Sequence, residues 1–185
     1  MLRLLCFLVA GILLLPSATL GGEEHAPTRY GAGVNYGIAY DPGCGIDFVQ
    51  VTGFALFDYD AVWPNRAPAP LRFKVEGNLG VTSAPRTRAI VSINMMALSF
   101  LDNLRTGHFR PYGEAGIGLI YTDFRVPGQG LRFNFNPQAG IGTEIDAGSG
   151  PPWFAAFRLH HLSNGGLHKD NRGINSVVFQ IGRFF

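Results

Sequence analysis

The chain has 185 residues, with 15 Lys and Arg against 13 Asp and Glu and a formal net charge of +2. That length suits a single domain, and so even a balance gives no electrostatic footprint for nucleic-acid binding. Two cysteines, Cys6 and Cys44, exclude the disulfide-dense framework of a small secreted scaffold.

The chain opens with Met1-Leu2-Arg3, an apolar run from Leu4 to Leu15, and then Pro16-Ser17-Ala18-Thr19-Leu20-Gly21-Gly22. One positive charge, a short apolar run and a small-residue tail form the pattern of a secretory signal peptide. The run falls short of the roughly 20 apolar residues that span a bilayer as a helix. Residues 1–22 are therefore predicted to be a signal peptide, and residues 23–185 a single mature domain. Removal of Arg3 takes the basic residues from 15 to 14 against 13 acids, a net of +1. Cys44 then remains alone, so no internal disulfide is expected.

Turn-forming segments divide the rest of the chain. Strands are predicted at Tyr30–Tyr40, Asp47–Tyr59, Leu71–Ser83, Thr87–Phe100, Phe109–Thr122, Arg132–Asp146, Trp153–Asn164 and Asn175–Phe185. Between them lie Asp41-Pro42-Gly43-Cys44-Gly45, the Pro-rich Asp60–Pro70, Ala84-Pro85-Arg86, Pro127-Gly128-Gln129-Gly130 and Asp146-Ala147-Gly148-Ser149-Gly150. Alternate residues of a strand share a face. In the third strand one face reads Leu71, Phe73, Val75, Gly77, Leu79, Val81, and the other Arg72, Lys74, Glu76, Asn78, Gly80, Thr82. The sixth strand opposes Phe133, Phe135, Pro137, Ala139, Ile141 to Asn134, Asn136, Gln138, Gly140, Gly142, Glu144. A soluble barrel would turn the apolar rows inward. The charged rows, which carry Arg72, Lys74, Glu76, Glu114, Glu144 and Arg158, suit a lumen where they pair with one another. The predicted fold is therefore all-β, an eight-stranded antiparallel transmembrane β-barrel of the bacterial outer membrane. Eight strands leave an interior filled by side chains, and the terminal Phe184-Phe185 is of the kind such barrels carry.

The seventh strand carries the candidate chemistry. Its apolar row Trp153, Ala155, Phe157, Leu159 ends in His161 and Ser163, a base and a nucleophile on one face. With both termini periplasmic, odd strands run outward. His161 and Ser163 then face the outer leaflet, which in a Gram-negative cell is lipopolysaccharide. The following segment, Ser163-Asn164-Gly165-Gly166-Leu167-His168-Lys169-Asp170-Asn171-Arg172-Gly173-Ile174-Asn175-Ser176, is dense in Asn and Gly. Glycine lets backbone N–H groups approach a substrate, and Asn amides donate without charge, as an oxyanion site requires. An interfacial polar pair followed by an ordinary turn-rich loop is the plain alternative.

His161-Leu162-Ser163-Asn164, with Asn171-Arg172-Gly173-Ile174-Asn175-Ser176 and a final strand to an aromatic end, resembles the lipid A 3-O-deacylases, also grouped as acyloxyacyl hydrolases. The specific match runs from about Arg158 to Phe185; the remainder agrees in length, signal peptide and strand pattern. The resemblance implies an outer-membrane serine esterase that removes the 3-O-linked acyl chain of lipid A, with no cofactor and no metal. It implies Ser163 as nucleophile, His161 as general base, and Asn171 with the Gly166 N–H as oxyanion donors, while Asn164 orders the loop beside them. The partners implied are lipid A or lipopolysaccharide and the membrane itself, and a homodimer is one option. The family's third triad member is a glutamate two residues after the Asn-x-Gly glycine, where this chain has Asn175. Asn175 shares parity with Val177, Phe179 and Ile181 and so can meet His161 across the last strand pair. An asparagine can orient a histidine but supplies no negative charge. Asp170 is the alternative acid. The competing reading is a non-catalytic small barrel with a structural or adhesion role.

The remaining polar residues point to simpler roles. His160 shares a face with Arg158 and is expected in the lumen. His25, His108 and His168 form no metal spacing with Cys44 or with acids. Glu114 and Glu144 are expected to pair with Arg or Lys in the lumen. The Gly-x-Gly segments near Gly31, Gly116 and Gly140 lie within strands and open no helix, so they do not read as nucleotide loops.

Overall fold

A computed structural model describes residues 26–43 and 45–185. The predicted signal peptide and Cys44 lie outside the described residues. Among the described residues nine strand segments form one antiparallel sheet: β1 (Arg29–Asp41), β2 (Asp47–Asp58), β3 (Leu71–Ala84), β4 (Ala89–Phe100), β5 (Phe109–Thr122), β6 (Phe133–Phe135), β7 (Gln138–Ile145), β8 (Trp153–Leu162) and β9 (Ile174–Phe184). Each pairs with its sequence neighbour, and β1 pairs with β9, which closes a barrel of eight staves.

The sixth stave differs from the single strand predicted over residues 132–146. It is split into β6 and β7 at Asn136-Pro137, because proline has no N–H to give a ladder. β6 pairs with Leu119–Tyr121 of β5, and β7 pairs with Phe109–Gly116. The break leaves the edge toward β8 intact. The Pro137 carbonyl accepts the His161 N–H at 3.0 Å, and Phe135 exchanges both backbone bonds with Ser163 at 2.8 and 3.0 Å.

Burial alternates along the staves as the apolar rows require. Val51, Leu79, Ile93, Leu119, Ile141 and Leu159 stand on the outer surface. Tyr30, Phe109 and Trp153 ring one rim, and Tyr40 and Phe133 the other, in the manner of interfacial aromatic girdles. The interior is layered. At mid-height Lys74, Glu76, Glu114 and Arg158 form a neutral quartet. Arg158 forks onto Glu76 at 2.8 and 2.9 Å and reaches Glu114 at 2.6 Å; Lys74 bonds Glu114 and lies 3.6 Å from Glu76. Glu144 pairs with Arg29 at 2.7 Å, and Arg72 faces Asp58 at 3.9 Å. Buried charges of this kind are tolerable only when partnered.

Apolar layers seal the quartet from both ends. On the side of the termini, Phe54, Phe154 and Phe184 meet edge to face with centroids 5.2–5.6 Å apart, beside Leu56 and Leu98. Toward the opposite rim lie Ile46, Phe48, Ile90, Ile120, Leu162 and Ile174. His160 is buried in the lumen, with its Nε2 3.4 Å from the Asn136 amide. The rim beyond the second apolar layer carries the β8–β9 loop.

Candidate active site

Residues of four staves, β1, the sixth stave, β8 and β9, come together at this rim. The β8 ladder continues past Leu162 through the Phe135–Ser163 bridge, so strand parity holds out to Ser163. His161 and Ser163 extend the outward row of Phe157 and Leu159, while Leu162 and Asn164 point inward and are buried.

 Asn175 of β9 stands directly opposite His161. Its Oδ1 accepts the His161 Nδ1–H at 2.5 Å, and its Nδ2 donates to Asp41 Oδ2 at 2.9 Å. Arg172 donates from Nη2 to the other Asp41 oxygen. A groove of about 250 Å³ runs beside the imidazole over Tyr40, Pro137, Ala139, Leu159 and Asn175.

The loop after Ser163 is folded around Asn164, which is 1% exposed. The Asn164 backbone N–H donates to Asn171 Oδ1 at 2.8 Å, and its Nδ2 to the Asp170 carbonyl at 2.8 Å. Its Oδ1 accepts the Gly166 N–H at 3.0 Å. Gly165 and Gly166 take φ of +65° and +88°, a region that glycine enters without strain. The β5–β6 loop braces this turn: Gly130 N–H donates to the Asp170 carbonyl at 2.8 Å, and Arg172 N–H to the Gly128 carbonyl at 2.9 Å.

His161, Ser163 and Asn175 share the outer face at one rim. The Gly166 N–H, expected as an oxyanion donor, is engaged by Asn164 Oδ1. Asn164 has both ends of its amide committed to loop backbone, so it shapes the turn from inside. Asn171 uses Oδ1 internally, which leaves its Nδ2 as the donor to offer. Asp170, the alternative acid, is exposed, and its Oδ2 lies 4.0 Å from His168 Nδ1. Among the described residues no three His, Cys, Asp or Glu side chains gather as a metal ligand set.

Asp41 is the residue the sequence reading missed. In β1 the even residues Tyr36, Ile38 and Tyr40 face outward, so strict alternation turns Asp41 into the barrel. A bulge between Ala39 and Asp41 shifts the register and sets Asp41 opposite Asn175. Its position at the Asp-Pro turn was the available signal, but a bulge is not written in alternation.

Charge divides between the rims. The connections at the His161 end (residues 42–46, 85–88, 123–132 and 163–173) carry Arg86, Arg88, Arg125, Arg132, Lys169 and Arg172 against Asp123 and Asp170. Those at the other end (59–70, 101–108 and 146–152) carry Arg66 and Arg105 against Asp60, Asp102 and Asp146. The rim that holds the site is thus the cationic one.

A family model described as lipid A 3-O-deacylase (PagL) matches residues 52–183. A crystal structure of the outer membrane enzyme PagL aligns with a TM-score of 0.59 and 21% identity, over 84% of this chain and 98% of that one. Neisserial surface protein A aligns with a TM-score of 0.65 and 14% identity, over 88% and 98%. The Pseudomonas aeruginosa outer membrane protein OprG aligns with a TM-score of 0.50 and 9% identity, over 85% and 95%. At these identities the three likenesses are ones of fold. Comparison with curated protein sequences finds no match.

Proposed function

The chain belongs to the lipid A 3-O-deacylase (PagL) family, and from that premise we propose that it is an outer-membrane serine esterase that hydrolyses the 3-O-linked acyl chain of lipid A. The observation that carries this reading is the row of Ser163, His161 and Asn175 on the outer face, with the His161 Nδ1–H held at 2.5 Å by Asn175 Oδ1. A soluble hydrolase encloses its ester. Here the nucleophile stands at the edge of the apolar belt, where an acyl chain already lying in the leaflet can slide into the groove over Pro137, Ala139 and Leu159. The arginine-rich rim complements the phosphates of a lipid A headgroup.

His161 Nε2 takes the Ser163 proton as Oγ attacks the ester carbonyl. Asn171 Nδ2 donates to the oxyanion that develops. Collapse breaks the bond to the 3-oxygen of the sugar, which recovers the proton from His161. Water then repeats the sequence on the acyl-enzyme and releases a fatty acid and free Ser163.

Mass spectrometry of lipid A from Gram-negative cells expressing the protein tests the reading. Wild type is expected to remove one 3-hydroxyacyl chain, and Ser163→Ala to remove none while still folding as a heat-modifiable barrel. Identical lipid A from the two would leave the non-catalytic barrel as the correct reading.

A further inference from the structure

Among the described residues no carboxylate is hydrogen-bonded to His161, yet one stands a single residue behind. His161, Asn175 and Asp41 occupy paired positions on three adjacent staves, β8, β9 and β1. The hydrogen bonds run along the row, from His161 Nδ1 to Asn175 Oδ1 and from Asn175 Nδ2 to Asp41 Oδ2.

Each link has one permitted direction. An ionised carboxylate only accepts hydrogen bonds, whereas an asparagine amide has a donor end and an acceptor end. With Asp41 behind it, Asn175 must turn Nδ2 toward the carboxylate and Oδ1 toward His161. An oxygen at that place requires the proton of the neutral imidazole to sit on Nδ1, which leaves the Nε2 lone pair free. Without Asp41, the Asn175 amide can rotate by half a turn and present Nδ2 to the ring. That orientation favours the tautomer with its proton on Nε2, which cannot take a proton from serine. Asn175 alone therefore does not define the base.

The other groups around this row do not replace Asp41. Arg172 binds the second carboxylate oxygen and holds the carboxylate in place. Tyr40 lines the groove with His161 and Asn175. On β8 and β9, the adjacent His160 and Ser176 are buried in the lumen. Asp41 also lies outside residues 52–183, so the family match does not include it.

We propose that Asp41 is a positioning residue of this site, whose carboxylate orients the Asn175 amide and, through it, selects the His161 tautomer able to accept the Ser163 proton. The proposal rests on the esterase reading above.

The test uses the full-length protein refolded in detergent with lipid A as substrate. Asp41→Asn is expected to lower kcat by about 10–100-fold with KM unchanged, a smaller loss than the roughly 10⁴-fold seen when a triad aspartate itself becomes an amide. Asp41→Ala, which brings no amide of its own, is expected to lose a similar amount, and Asp41→Glu to recover part of it. Nitrogen-15 NMR of the histidine rings, with His161 assigned by difference from His161→Gln, is expected to show the Nδ1–H form in wild type. In Asp41→Asn the Nε2–H form should appear. In an Asn175→Glu background a carboxylate contacts His161 directly, so adding Asp41→Asn is expected to cost nothing and to relieve repulsion between neighbouring acids. Wild-type kcat in both Asp41→Asn and Asp41→Ala would overturn the proposal. So would an unchanged tautomer, or an equal loss in both backgrounds, either of which assigns Asp41 a purely structural role. Activity that survives Ser163→Ala would instead overturn the esterase reading.

Discussion

A β-carbon built on Gly173 would lie 2.6 Å from His161 Cε1 and 3.0 Å from the Leu162 carbonyl oxygen. The imidazole is therefore packed against bare backbone, and Gly173 is needed for its lack of a side chain. Gly173→Ala is expected to displace the ring and lower kcat about 100-fold, the scale of a displacement near 1 Å. Lipid A turnover by the folded variant measures this, and an unchanged rate would show that the ring has room to spare. The residue types of the site were legible in the sequence: strand parity put His161 and Ser163 on one face, and Asn175 within reach. Asp41 was not legible, because the bulge that turns it outward depends on how β1 pairs with β9.

At the scale of elements, the β8–β9 loop is a turn wound on Asn164. Three hydrogen bonds from this one residue tie Gly166, Asp170 and Asn171 together. Asn164→Ala would leave the Asp170 carbonyl and Gly166 N–H without those partners, at about 1–3 kcal/mol. Tryptic cleavage after Lys169, which is exposed on this loop, should become faster, and deacylation should fall with it. A loop cut no faster than in wild type would mean that the β5–β6 contacts hold it unaided. The split of the sixth stave also belongs to this scale. Pro137 was visible within an alternating run, but the run did not reveal that the edge toward β8 survives the break and carries His161 and Ser163.

For the whole molecule, the interior quartet holds two cations and two anions with Glu76 at 0% and Arg158 at 1% exposure. Glu76→Gln leaves Arg158 and Lys74 facing Glu114 alone. Breaking a buried set in this way costs about 3–5 kcal/mol. Guanidinium unfolding in lipid vesicles should show that loss, and the charge-balanced pair Glu76→Gln with Arg158→Met should recover much of it. Equal stability of Glu76→Gln and wild type would show that water reaches the quartet. The six cationic side chains at one rim give the barrel a polarity that suits an anionic leaflet on the side of the site.

The sequence by itself determined the stave pattern, the outward apolar rows, the charged lumen and the placing of a serine and a histidine at one end of β8. All of these follow from a period of two, which is a local property of the chain. The tertiary structure decided how the charged side chains pair, how the loop closes on Asn164, and that an aspartate from the first strand stands behind an asparagine of the last. Those contacts join staves that meet only when the barrel closes, and their register is set by a bulge and by the closure itself.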